Sequence, residues 1–145
     1  MYLDTAILVK LLVPEPDSSF YARLVDGEED LWSSEVLLTE GFAALLRKER
    51  EQAIGPARRR SAWRQVEAYV TEGSLRLIPV TRGVLGRANA LLETCHPSVA
   101  LRSLDAIHLA SFEECRSGPL VTNDKVLRAA ATRLRLPLSP TAPRV

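Results

Sequence analysis

The sequence predicts an α/β domain of three layers, with parallel strands covered by helices on both faces. Three observations carry this. Five short, mostly apolar runs of β type alternate with longer stretches whose apolar residues recur at helical spacing. Strands separated by helices pair in parallel through right-handed crossovers, and each crossover lays a helix on the sheet. The third observation is size: 145 residues, 46% of them hydrophobic, suffice for one core without disulfides or a structural metal. A single domain over residues 1–145 is expected, its last residues, about 139–145 ("SPTAPRV"), forming a flexible tail.

The β-type runs fall at Met1 to Leu3, Leu31 to Ser33, Leu75 to Val80, Leu120 to Thr122 and Leu136 to Ser139. Helical period covers Ser18 to Val25, about Glu35 to Arg50, roughly Ala57 to Thr71 after the Gly55–Pro56 break, and Val84 to Thr94. A further helix begins near Ser103 and stops before Gly118–Pro119, and the last starts near Lys125.

Composition narrows the function class. A net charge of +1, from 19 basic and 18 acidic residues, does not mark the whole chain as a nucleic-acid binder. Basic residues do cluster, at Arg47, Lys48 and Arg50, at Arg58, Arg59, Arg60 and Arg64, and at Arg128, Arg133 and Arg135, although a solvated helix face explains any one cluster. The apolar run from Ala6 to Val13 is too short to span a bilayer and carries Lys10, and no basic leader precedes it. A cytoplasmic protein with no membrane association is expected. Cys95 and Cys115 show neither zinc-type nor redox-type spacing.

In open parallel sheets, ligands bind beyond the carboxyl ends of the strands, so acids just after strands are the first candidates. Asp4 in "MYLD" and Asp124 in "PLVTND" stand there, and each equally suits the N-cap of the next helix. Glu40 falls on the helical wheel between Val36 and Ala44 in an apolar helix, where the competing reading is an exposed glutamate. Asp105, in "LRSLDAIHLAS", lies in a first helical turn if Ser103 is the cap, and free N–H groups there favour a carboxylate. Yet Leu101, Leu104, Ala106, Ile107, Leu109, Ala110 and Phe112 make that helix apolar nearly all round, and a carboxylate at its buried end needs a cation or donors.

Carboxylates that meet at one edge raise each other's pKa, and a hard divalent cation resolves the conflict. Oxygen ligands without His or Cys point to Mg2+ or Mn2+. Such an ion lowers the pKa of bound water and stabilises a phosphoryl transition state. Metal-assisted phosphodiester hydrolysis is the chemistry this set of acids suits.

Four segments resemble the PIN-domain ribonucleases, and among them the VapC toxins of bacterial and archaeal toxin–antitoxin pairs. "YLDTAILVKLL" is similar to the family's opening strand, Asp and short helix, and "SSEVLLTEGFAALLRK" to its second motif with Glu40. "LRSLDAIHLAS" is similar to the third motif with Asp105, and "PLVTNDKVLRAAA" to the fourth with Thr122 and Asp124. The resemblance implies an α/β/α sandwich around a five-stranded parallel sheet and Mg2+- or Mn2+-dependent endonuclease activity on single-stranded or looped RNA. It makes Asp4, Glu40, Asp105 and Asp124 the metal-binding catalytic acids, with Thr5 and Thr122 as supporting hydroxyls. It also implies a homodimer and a cognate, VapB-like antitoxin laid over the active site, with the apolar segments Ile7 to Val13 and Phe20 to Val25 as parts of the receiving groove. Core packing is the other reading of those segments. One departure is Ala6, where the family often has Ser.

Arg102 and Lys10 are candidates for phosphate contacts beside the acids, with surface solvation as the alternative. His108, one turn past Asp105, is read as a packing histidine, because an oxygen-ligand mechanism needs no imidazole. Two rivals lack their residues: a haloacid dehalogenase phosphatase wants Asp where Ala6 stands, and a receiver domain wants Asp after the third strand, where "LRLIPVTRG" has none. A PIN-like module with weak or no catalysis, binding protein or RNA, remains the alternative that Ala6 keeps open.

Overall fold

The order of the sheet explains where the acids fall. In the computed structural model, which describes residues 1–141, the strands are β1 (Tyr2–Leu3), β2 (Leu31–Ser34), β3 (Leu75–Ile78), β4 (Leu120–Val121) and β5 (Leu138–Ser139). All pair in parallel, in the order β3-β2-β1-β4-β5. From β1 the chain runs outward through β2 to β3, then crosses back to β4 and runs outward the other way. β1 and β4 are therefore the neighbours whose connections depart in opposite directions, the switch point at which an open sheet forms a crevice beyond its carboxyl edge. Asp4 and Asp124 sit just past these two strands.

The connections are α1 (Thr5–Leu12), α2 (Ser18–Val25), α3 (Val36–Arg50), α4 (Pro56–Thr71), α5 (Arg82–Cys95), α6 (Ser103–Cys115) and α7 (Lys125–Arg133). Successive strand side chains point to opposite faces, and each central strand serves both. Tyr2 and Leu120 join Leu91 of α5, Leu109 of α6 and Leu127 of α7 in one cluster. Leu3 and Val121 instead meet Ile7 and Tyr21 on the other side. There a second cluster, Leu8, Leu12, Leu37, Leu45 and Val66, packs α1, α3 and α4 together. Each such buried side chain is worth about 1.5–3 kcal/mol over its exposed state, so the two central strands are anchored from above and below.

Several local expectations change. The helix at Ser103 has Arg102, not Ser103, at its cap position, without a side-chain cap bond. The α5 helix starts at Arg82, two residues before the expected Val84, because the Thr81 hydroxyl accepts the Val84 N–H at 3.2 Å. The fifth strand begins at Leu138 rather than Leu136, behind Pro137, which has no N–H for the ladder but whose carbonyl accepts from Leu120 at 2.9 Å. Of the expected tail, Ser139 lies in β5, and the buried Arg128 donates to the carbonyls of Pro140 (2.8 Å) and Thr141 (3.0 Å). Residues 142–145 lie outside the described residues. Ile7, Leu8, Val9, Leu12 and Val13 are buried, so α1 is core, and the partly exposed apolar residues of this region are Leu11, Phe20, Leu24 and Val25. No helix among the described residues is long and apolar enough to cross a membrane.

Candidate active site

A cleft of about 600 Å3 opens at the carboxyl edge, and all four expected acids, Asp4, Glu40, Asp105 and Asp124, line it. Thr5, Ala6, Lys10, Arg102 and His108 line it as well, and Arg47, Lys48 and Arg50 of α3 contribute a basic stretch. Four separate segments thus deliver acids to one space.

Asp4 leaves β1 in extended conformation and caps α1, accepting the Ile7 N–H on Oδ1 at 2.8 Å. Its other oxygen, Oδ2, accepts the hydroxyl of Thr122. Thr122 is fully buried at the end of β4, and its Oγ1 in turn accepts the Asp124 N–H at 3.1 Å. Asp4 thus caps α1 with one oxygen and binds the Thr122 hydroxyl with the other. Burial raises the Asp4 pKa, and the bonds from Thr122 and Ile7 only partly offset it.

Glu40 is half-buried on α3, with Oε2 accepting the Thr5 hydroxyl at 2.7 Å and lying 2.7 Å from His108 Nε2. Burial acts to raise its pKa, but the hydrogen bond and charge of His108, the Thr5 bond and the charge of Arg102 outweigh it and leave it lowered. Glu40 is thus neither a solvated helix glutamate nor an isolated one.

The remaining two acids are joined by a cation. Asp124 caps α7, accepting the N–H groups of Val126 (2.8 Å) and Leu127 (2.9 Å) on Oδ1. Its Oδ2 accepts from Arg102 at 3.1 Å, while Arg102 Nε donates to Asp105 Oδ2 at 2.7 Å. The Asp105 side chain is 13% exposed and that of Arg102 64%, so the guanidinium spans the two acids from the solvent side. Among the described residues, no three His, Cys, Asp or Glu side chains stand in ready ligand geometry. Arg102 holds the position between the outer two.

Two expectations need correction. Lys10 lines the cleft but is committed to Asp17 (2.6 Å) and Glu15 (2.9 Å) rather than turned to the acids. His108 is more than a packing residue: it is buried, yet it contacts Glu40, and its spacing of three from Asp105 on one helix was the available signal that it faces the same cleft.

A five-stranded parallel sheet in this order, with strand-end acids around a cleft at its switch point, defines the class. The chain belongs to the PIN-domain family, which matches it over residues 1–132. Its relatives are VapC ribonucleases: it is 36% identical over 136 residues to Ribonuclease VapC46 of Mycobacterium tuberculosis (strain ATCC 25618 / H37Rv), an alignment covering 92% of each chain. Among solved structures, Mycobacterium tuberculosis VapC20, a Sarcin-Ricin loop cleaving toxin, shares the fold with a TM-score of 0.71 at 19% identity, over 89% of this chain and 93% of that one. A toxin-antitoxin complex from Klebsiella pneumoniae matches with a TM-score of 0.62 at 14% identity, over 99% and 98%.

Proposed function

We propose that this chain is a Mg2+- or Mn2+-dependent endoribonuclease toxin that hydrolyses phosphodiester bonds in single-stranded or looped RNA and is neutralised by a cognate antitoxin. The observation that carries this reading is the convergence of Asp4, Glu40, Asp105 and Asp124 on one cleft, with a cationic group already lodged between two of them. The donors are all carboxylate and hydroxyl oxygens, which suits a hard divalent ion, and those four acids would hold it. When bound, such an ion supplies an activated water and neutralises charge on the phosphoryl group.

The chain's own residues do the rest. Ile7 N–H and Thr122 hold Asp4, and Thr5 and His108 hold Glu40, so the inner acids are oriented before substrate arrives. Arg102 is exposed and presents a planar fork of N–H donors, which suits transfer from carboxylates to phosphate oxygens. Arg47 stands seven residues beyond Glu40, roughly 10 Å along α3, where phosphates flanking the scissile one would lie.

The partner reading rests on the relatives, among them a toxin-antitoxin complex. A homodimer is part of the same proposal. Ala6 lines the cleft where the family often has a hydroxyl, and it is the one residue that keeps open the alternative of a weakly active or inactive binding module.

Purified chain given single-stranded RNA separates the two. Cleavage in Mg2+ or Mn2+ that stops on adding EDTA is expected, whereas binding without cleavage in either metal would favour the module. Expression is expected to arrest growth, with relief on co-expression of the neighbouring small reading frame. Absence of any such neighbour would remove the toxin label and leave the nuclease.

A further inference from the structure

Glu40 does not cap a helix. It lies mid-helix on α3, and its side chain is fixed only by what reaches it from elsewhere. Two donors converge on the same oxygen: Thr5 Oγ1 from α1 and His108 Nε2 from α6, each 2.7 Å from Oε2. A carboxylate can only accept, so Nε2 carries a hydrogen. Both of these bonds fall on Oε2, which leaves Oε1 as the oxygen that neither donor takes.

The ring that donates is itself held from behind. His108 is 3% exposed, and its Nδ1 lies 2.8 Å from the hydroxyl of Tyr2, which is fully buried in the central strand β1. Tyr2 packs edge-on against His108, with ring centroids 5.9 Å apart, and against Phe112 at 5.6 Å. Ring rotation that breaks the Glu40 contact also breaks the Tyr2 one. Both nitrogens of this buried ring are thus engaged, and the outer one is engaged by an acid of the cleft.

We propose that His108, backed by Tyr2, is a positioning residue that orients the Glu40 carboxylate and leaves Oε1 free for a divalent ion or its water. The inference rests on reading the cleft as a metal-dependent site. Partners that orient a ligand in this way typically change metal affinity or activity 10–100-fold when removed.

The test uses the whole chain, with Mn2+ alone as the calorimetric probe, single-stranded RNA for kcat and KM, and a thermal melt for folding. His108→Ala is expected to weaken Mn2+ binding about 10-fold or more and to lower kcat while leaving KM little changed. His108→Gln, whose amide N–H can reach the same oxygen, should recover most of that loss. Tyr2→Phe should lose less, in the same direction. In a Glu40→Gln background, His108→Ala should have no further effect on Mn2+ binding, because the two act through one oxygen.

Wild-type Mn2+ affinity in folded His108→Ala would overturn the proposal, as would a loss that persists undiminished without the Glu40 carboxylate. Should His108→Ala not fold, the other two variants decide: wild-type affinity in Tyr2→Phe together with a full loss in His108→Gln overturns it. A wild-type chain that neither binds Mn2+ nor cuts RNA would instead overturn the functional reading itself. Failure of this inference alone looks different, with an active, metal-binding wild type and variants that match it.

Discussion

The inner and outer halves of the acid cluster are built differently. Asp4 and Glu40 are held by neutral hydroxyls, a backbone N–H and a buried imidazole, all supplied by the core elements β1, α1, β4 and α6. Asp105 and Asp124 share one guanidinium that is 64% exposed, although Asp124 is also fixed through its other oxygen by the cap bonds from Val126 and Leu127. The inner pair therefore has partners from the folded core, while the Oδ2 atoms of the outer pair face a counter-charge on the solvent side. The difference teaches that neutral, buried partners orient the inner pair, while the outer pair keeps an exposed cationic partner.

Removing one acid should have the largest effect. Losing a metal ligand forfeits several kcal/mol of transition-state stabilisation, so Asp4→Asn and Asp105→Asn should each slow RNA cleavage by about 100-fold or more. Equal losses in both would join the halves into one site.

Thr122→Val comes next, because the hydroxyl serves both strand-end acids from a fully buried position. Leaving the Asp4 oxygen and the Asp124 N–H without it should cost about 1–3 kcal/mol in denaturant unfolding. No substitution of Arg102 should match this.

The pH dependence of stability has opposite signs for the two inner acids. The Asp4 pKa is raised in the folded state, so its burial costs nothing below the ordinary aspartate range and costs most above the folded value. Asp4→Asn removes the charge, so its stability relative to wild type should shift in favour of the variant as pH rises through the folded Asp4 value. The Glu40 pKa is lowered, so its contribution is present above the ordinary glutamate range and lost as pH falls through the folded value. Glu40→Gln should therefore destabilise at neutral pH and become neutral in acid. Thermal melts across pH read both.

The smallest effect on folding belongs to Arg102→Gln. As an exposed ion pair it should change stability by less than about 1 kcal/mol. On RNA it should act instead through charge, making the salt dependence of binding to an uncleaved analogue shallower by a slope of about 0.7 for each phosphate the guanidinium neutralises.

The same division marks what is legible in the sequence. Asp4 and Asp124 are readable because strand-end acids in a parallel sheet share an edge by construction, and their cap role is readable from position alone. That each uses one oxygen to cap and the other to bind a side chain, Thr122 for Asp4 and Arg102 for Asp124, is not, since those partners come from different segments. The α1 helix carries too little polar contrast for its period to show, and only its likeness to a known motif reveals it. His108 reads as packing because its partners are remote in the chain, Glu40 by 68 residues and Tyr2 by 106. Lys10 misleads for the converse reason: Asp17, seven residues on, claims it locally.

The most direct test of the central claim, that inner and outer acids form one metal-dependent hydrolytic site, is single-turnover cleavage of a single-stranded RNA in Mg2+ by wild type, Asp4→Asn and Asp105→Asn. The account predicts cleavage by wild type that EDTA abolishes, and a comparable loss of about 100-fold or more in both variants. Cleavage by either variant at the wild-type rate would contradict it.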